Sequence, residues 1–196
     1  MKKLMLIISL ALALFAIDVK KSYLDSYNYE KIGDYKDAIR VLIPLYNKYP
    51  NGYTINLRLG WLFYLNKNYE NSIKHYQKAS LILPYSIEPK LGLMRVYLII
   101  EKYNKVLNIG DFILKNDYYN YYANYYIIEA LIQKKEYKTA LKITNKMLAL
   151  YPTSVLFLVE LGKIYNVLDK IKANKIFNNV LILDPNNIIA KKYLNK

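Results

Sequence analysis

The chain has no cysteine, a single histidine and only three arginines among its 29 basic residues. Each shortage closes a class of function. Without cysteine there is no disulfide, no thiolate metal site, no cysteine nucleophile and no lipid-modified cysteine behind a leader. With His75 alone, no histidine pair can hold a metal or relay a proton. His75 stands in phase with Val41, Ile109 and Ile143, which reads as a packed position. Proteins that read nucleic acid lean on the arginine fork for bases and phosphates. Arg40, Arg58 and Arg95 are too few for that, despite a formal net charge of +14. The lysine excess comes with an excess of Asn, Ile and Tyr, the mark of an AT-rich coding sequence. Glycine is sparse as well. Gly52, Gly60, Gly92, Gly110 and Gly162 are scattered, so no loop is built to cradle phosphate. Asp34 and Asp37 flank a helix start, where capping accounts for them. No catalytic residue, metal site or cofactor is assigned.

The first residues are set apart. Lys2 and Lys3 precede an uncharged apolar run from Leu4 to Ile17, broken only by Ser9. A short basic start, a short apolar stretch and small residues at Ala11, Ala13 and Ala16 read as a secretory signal peptide over 1–16. An uncleaved membrane anchor is the rival. The run is shorter than the roughly 20 residues a comfortable span needs, which argues for cleavage. Either way the expected location is outside the cytoplasm: exported and periplasmic, or held at the inner membrane.

Beyond the leader the chain repeats itself. Tyr35, Tyr69, Tyr103 and Tyr137 are each 34 residues apart. Ala38, Ser72, Val106 and Ala140 follow them by three, and Pro50, Pro84 and Pro152 by fifteen, with Tyr118 in the missing slot. A fixed period of this length signals one supersecondary unit copied several times. Within each copy an amphipathic stretch such as 53–66, a short turn and a second amphipathic stretch ending at proline predict a helical hairpin. Copies begin at Val19, Tyr53, Ile87, Tyr121 and Val155. Pro44 predicts a break in the second helix of the first copy. The fifth copy is one residue short between Gly162 and Ala173, which predicts a tighter turn. In the third, Met94 and Val106 replace small residues while Gly110 replaces a bulky one, which predicts the softest joint. After Pro185, Asn187 starts a terminal capping helix over 186–196, with Ile189 and Tyr193 on its apolar face.

With Leu59, Gly60, Phe63, Tyr69, Ser72, Tyr76, Ala79 and Pro84 in the second copy, and Leu161, Gly162, Tyr165, Ala173, Phe177 and Pro185 in the fifth, the chain resembles the tetratricopeptide repeat (TPR) family. The resemblance implies an all-α, right-handed α-solenoid of about five helix-turn-helix units over 19–185 (19–52, 53–86, 87–120, 121–154 and 155–185). It also implies that the first helix of each hairpin lines a concave groove. The inward positions would then be Tyr23, Tyr27, Leu57, Trp61, Tyr64, Leu91, Arg95, Leu98, Tyr122, Tyr125, Glu129 and Lys163. The family's carboxylate clamp relies on Lys and Asn in the groove. Those places read Tyr23, Tyr27, Arg58, Glu88 and Gly92, so clamp-type recognition is not expected. Arg40, Lys74, Lys142 and Lys175 share one phase of the second helices and form a basic stripe on the convex side.

The expected function is a non-enzymatic scaffold or adaptor of the bacterial cell envelope that holds a protein or peptide partner in the groove. Membrane association would run through the N-terminal segment. The alternative is an envelope factor that takes carbohydrate, anionic lipid or anionic polymer on its tyrosines and basic convex face.

Overall fold

The structure is a computed structural model that describes residues 18–195, so the leader expected at 1–16 lies outside the described residues. Among the described residues there are twelve helices and no strand. They are α1 (Val19–Lys31), α2 (Tyr35–Arg40), α3 (Ile43–Lys48), α4 (Tyr53–Leu65), α5 (Tyr69–Ile82) and α6 (Glu88–Ile99). Then follow α7 (Tyr103–Leu114), α8 (Tyr121–Gln133), α9 (Tyr137–Leu150), α10 (Val155–Leu168), α11 (Lys170–Leu183) and α12 (Ile188–Leu194). The chain divides into two compact bodies, Met1–Gly92 and Leu93–Lys196.

The four periodic tyrosines are the first residues of α2, α5, α7 and α9. Just ahead of them the chain reverses through a left-handed residue. Gly33 has φ +78°, and Lys67, Glu101 and Lys135 have φ 58°, 59° and 62°. Only the first copy places glycine, the residue suited to that conformation, at this point. The next residue is the N-cap of the helix. The side chains of Asp34 and Asn68 accept from the backbone N–H of Asp37 and Asn71 at 3.1 and 3.2 Å. In the fifth copy the missing residue removes the left-handed step. Asp169 alone ends α10, in an extended conformation with φ −160°, and caps α11 by accepting from the Lys172 N–H at 3.1 Å.

In the first copy the second helix is broken between Arg40 and Ile43, and Pro44 sits in the first turn of α3. Proline has no N–H for the carbonyl four residues back, but at a helix start that bond is not required.

Close helix packing rests on residues without bulk. A Cβ at Gly60 would meet the Tyr76 ring at 2.7 Å, and one at Gly92 would meet the same ring at 2.5 Å. The Ser72 hydroxyl donates to the Gly60 carbonyl at 2.7 Å. In the fifth copy a Cβ at Gly162 would meet the Phe177 ring at 2.5 Å. The third copy inverts the arrangement: Gly110 leaves room for Ile127 and the Met94 methyl, which a Cβ would meet at 2.6 and 3.2 Å.

One further element repeats with the period. The Asn56 amide donates to the carbonyls of Pro50 and Gly52, at 2.9 and 2.7 Å. Thirty-four residues on, the Lys90 ammonium donates to the carbonyls of Pro84 and Ser86. Asn124 repeats the pattern on Tyr118 and Asn120, at 3.1 and 2.9 Å. Ser22, one period before Asn56, donates to the Asp18 carbonyl at 2.9 Å. The first four copies thus tie the residues that lead into them to their own first helix, whereas the fifth has Leu158 in this phase and no side-chain donor.

The last helix is capped as the sequence indicates, with the Asn187 side chain accepting from the Ala190 N–H at 2.9 Å. Its inward face differs from the expectation. Ala190 is fully buried and Tyr193 stacks on Phe177 at 4.7 Å, whereas Ile189 is 40% exposed. On so short a helix the small residue seats the backbone, and Ile189 falls to the edge.

Candidate binding site

In the first body, α1 and α4 frame an open cleft of about 650 Å³ lined by Tyr23, Tyr27, Glu30, Lys31, Thr54, Leu57, Arg58 and Trp61. Four of the twelve groove positions read from the sequence (Tyr23, Tyr27, Leu57 and Trp61) meet there. Tyr64 continues the aromatic wall, its ring stacked on Trp61 at 5.5 Å. Helix α4 can line a cleft and fill a core together because it is apolar nearly all round. Ile55, Leu59 and Leu62 are buried, while Leu57, Trp61 and Tyr64 stay half-buried on the other side.

The base of the cleft is polar. Arg58 is buried and ion-paired to Glu30. Its guanidinium also donates to the Ser26 hydroxyl at 3.1 Å and lies 3.8 Å from the Tyr27 ring centre. The second oxygen of Glu30 accepts from the Trp61 indole at 2.6 Å. The guanidinium charge is therefore compensated from within the chain. Sequence reading placed Arg58 in the groove but missed its partnership with Glu30 and Ser26. The signal was present, because a lone arginine in an apolar stretch needs a carboxylate near it.

In the second body, Leu98, Ile99, Glu101, Tyr103, Glu129 and Gln133 surround a hollow of about 300 Å³. Leu98 and Glu129 are brought together there. Next to it stand Tyr125 and Lys163. The Lys163 ammonium is 2.7 Å from Glu160 and 3.7 Å from Glu129. Burial pushes the Glu160 carboxyl up to about 7; Lys163 pulls against that shift and Glu129 adds to it. Burial, then Glu129 and Glu160, push the Tyr125 hydroxyl up. Burial works against the Lys163 charge, yet the carboxylates of Glu160 and Glu129 hold its pKa above the ordinary lysine value. Glu160, almost fully buried, was absent from the sequence-based site. Arg95 donates to the Tyr126 hydroxyl at 3.1 Å, and Tyr122, 52% exposed, stacks near Tyr126. Leu91 is half-buried on α6, in the first body.

The four basic positions are exposed, Arg40 and Lys74 in the first body and Lys142 and Lys175 in the second. Arg40 pairs in a fork with Asp37, both bonds at 2.9 Å. His75 is packed, as its phase indicated: its ring stacks on Phe63 at 5.3 Å and its Nδ1 meets the Asn56 side chain at 3.0 Å. Burial, aided by Lys74 and Lys78, lowers its pKa to about 4. Among the described residues no group of three or more His, Asp or Glu side chains is placed to hold a metal. No helix among them is long and apolar enough to cross a membrane.

Residues 26–81 match a tetratricopeptide repeat family model. No curated protein matches the chain. Among solved structures, MamA from Desulfovibrio magneticus RS-1 is similar at 17% identity and a TM-score of 0.72, over 86% of this chain and 96% of that one. A tetratricopeptide repeat protein from Parabacteroides merdae is 19% identical with a TM-score of 0.74, over 89% of this chain and 70% of its own length. YrrB, described as a TPR protein with an unusual peptide-binding site, is 12% identical with a TM-score of 0.67, over 96% and 97% of the two chains. Identities this low establish the fold alone. Residues 26–81 therefore match the tetratricopeptide repeat family, and the chain as a whole shares the fold of solved tetratricopeptide-repeat structures.

Proposed function

We propose that the chain is an exported, non-enzymatic interaction module that holds an apolar segment of a partner protein against the first helices of its repeats, as a scaffold or adaptor in the bacterial envelope. One observation carries this reading. The cleft between α1 and α4 exposes Tyr23, Tyr27, Leu57 and Trp61 around a self-neutralised Glu30–Arg58 floor. Aromatic walls supply large contact area at low entropic cost, and tyrosine and tryptophan dominate binding hot spots. A floor whose charges are already paired favours an apolar occupant over an ionic one. That YrrB is described with a peptide-binding site agrees with this reading.

The test is in-cell photo-crosslinking from position 64, followed by mass spectrometry and titration of the captured partner against the emission of Trp61. Capture of a partner whose peptide shifts Trp61 emission is the expected result. A partner that crosslinks only from the second helices would place the interface elsewhere. Export and cleavage are read from the N-terminus of the mature protein, expected after Ala16 or Ala13.

The second reading has an observation of its own. Tyr118 and Tyr119 are exposed rings 5.0 Å apart, with Lys146 over both at 3.8 and 5.5 Å. Such a pair could stack a sugar or meet an anionic polymer. Binding there should collapse with added salt, whereas binding in the apolar cleft should persist.

A further inference from the structure

Resting on the groove reading above, we infer that the second body receives a cationic side chain, a lysine or arginine carried on the partner segment, between Tyr125, Glu129 and Glu160. The argument starts from the period. Tyr27, Arg95 and Glu129 occupy one phase of the first helices, and Arg58, Tyr126 and Glu160 occupy the phase they meet on the following one. At two of these junctions the pair is a guanidinium and a tyrosine ring: Arg58 over Tyr27 at 3.8 Å, and Arg95 with Tyr126, bonded at 3.1 Å. At the third, two carboxylates stand close together: Lys163 reaches both, and the Tyr125 hydroxyl bonds to Glu129, which leaves Glu160 with Lys163 alone.

One cation does not satisfy the two. Lys163 lies 2.7 Å from Glu160 but 3.7 Å from Glu129. The second carboxylate oxygen of Glu160, on a residue 1% exposed, has no hydrogen-bond donor. A buried carboxylate oxygen left without a donor is costly, by more than an exposed one would be. Burial and the Glu129 charge both work against the ionised form of Glu160 while Lys163 favours it, so a second cation at this place would favour the carboxylate further. Beside the two acids stands the half-buried ring of Tyr125, and an aromatic face with carboxylates next to it is the standard chemistry for an ammonium or guanidinium. The neighbouring hollow, lined by Leu98, Ile99 and Tyr103 with Glu101 and Glu129, offers apolar wall for the aliphatic stem of such a side chain. Those lining carboxylates are acidic ground on a chain of formal net charge +14, so the charge there complements a basic partner, not the chain's own surface.

The probes are arginine amide and its uncharged isostere citrulline amide, titrated into the full chain while amide and side-chain resonances are followed by NMR. Arginine amide should move the signals of Tyr125, Glu129 and Glu160 saturably, and citrulline amide should not. Glu129→Gln and Glu160→Gln should each weaken the arginine response at least tenfold. Glu129 is partly exposed, so Glu129→Gln keeps the experiment decisive if Glu160→Gln fails to fold. Equal responses to both probes, or none to arginine amide, overturn the inference. Sedimentation of the wild type supplies the remaining arm: self-association abolished by Glu129→Gln would assign the cation to a second copy and overturn the partner assignment. Crosslinking from position 64 is independent of these results, so the groove reading can survive the loss of this one.

Discussion

Glu30 holds Arg58 and Trp61 at once, its two oxygens divided between the buried guanidinium and the indole N–H. The single carboxylate fixes the floor of the cleft and the orientation of its largest ring. Glu30→Gln keeps the shape and removes the charge. Breaking a buried ion pair from one side leaves the other charge uncompensated, so we expect destabilisation of about 3 kcal/mol. Thermal unfolding followed by Trp61 emission reads both effects, because Trp61 is the only tryptophan. An unchanged midpoint would mean that Arg58 is solvated.

The left-handed turn residues give a second prediction. Lys67, Glu101 and Lys135 adopt φ values near 60° that cost a side chain about 1 kcal/mol. Replacing each with glycine should stabilise the chain by up to about 0.5–1 kcal/mol, whereas Gly33→Ala, with open space around its Cβ, should lose about as much. Urea unfolding midpoints distinguish the two signs.

Gly60→Ala should behave differently from Gly33→Ala. The added methyl would meet the buried Tyr76 ring at 2.7 Å, so overpacking of about 1–3 kcal/mol is expected. Gly60→Ala with Tyr76→Leu should recover part of the loss, and failure to do so would separate the two residues.

His75 and Glu160 set opposite pH dependences. His75 in the folded chain titrates near 4, below the ordinary value of 6.5, so its contribution is intact above pH 6.5 and is lost as pH falls toward 4. The full loss amounts to about 3 kcal/mol, and His75→Phe should flatten it. Glu160 titrates near 7, above its ordinary 4.5, so its contribution is complete below pH 4.5 and is lost as pH rises through 7. Glu160→Gln should remove that upper slope in chemical unfolding measured from pH 4 to 8.

The third repeat is expected to exchange first. Gly110 in α7 leaves its packing to Ile127 and Met94 from other helices, and glycine inside a helix costs about 1 kcal/mol relative to alanine. Hydrogen exchange should show the amides of α7 less protected than those of α5. Equal protection would mean that Ile127 and Met94 restore the packing.

The period made the starts of α2, α5, α7 and α9 legible because tyrosine recurs at each of those four. Pro44 and the shortened fifth copy were legible for the same reason: a break in a regular pattern has one cause at a time. What the pattern hid was polar. Ser22, Asn56, Lys90 and Asn124 fall in phase, but they are of three residue types that have in common only the ability to donate to a carbonyl. Glu30 and Arg58 sit on different helices and at different phases, so no alignment of the copies pairs them. Glu160 was invisible because the same phase holds Arg58 and Tyr126, and chemistry that changes sign from copy to copy averages to nothing.

The clasp at the start of the first four repeats bears on how such a chain can be recombined. Tyr118 stands where other copies have proline, yet its carbonyl receives Asn124 as that of Pro50 receives Asn56. What recurs is an acceptor, not a ring. A loop therefore belongs to the helix that follows it. Chimeras spliced before Pro50 or Tyr118 would carry their own fastening, while those spliced a few residues later would separate the latch from its keeper.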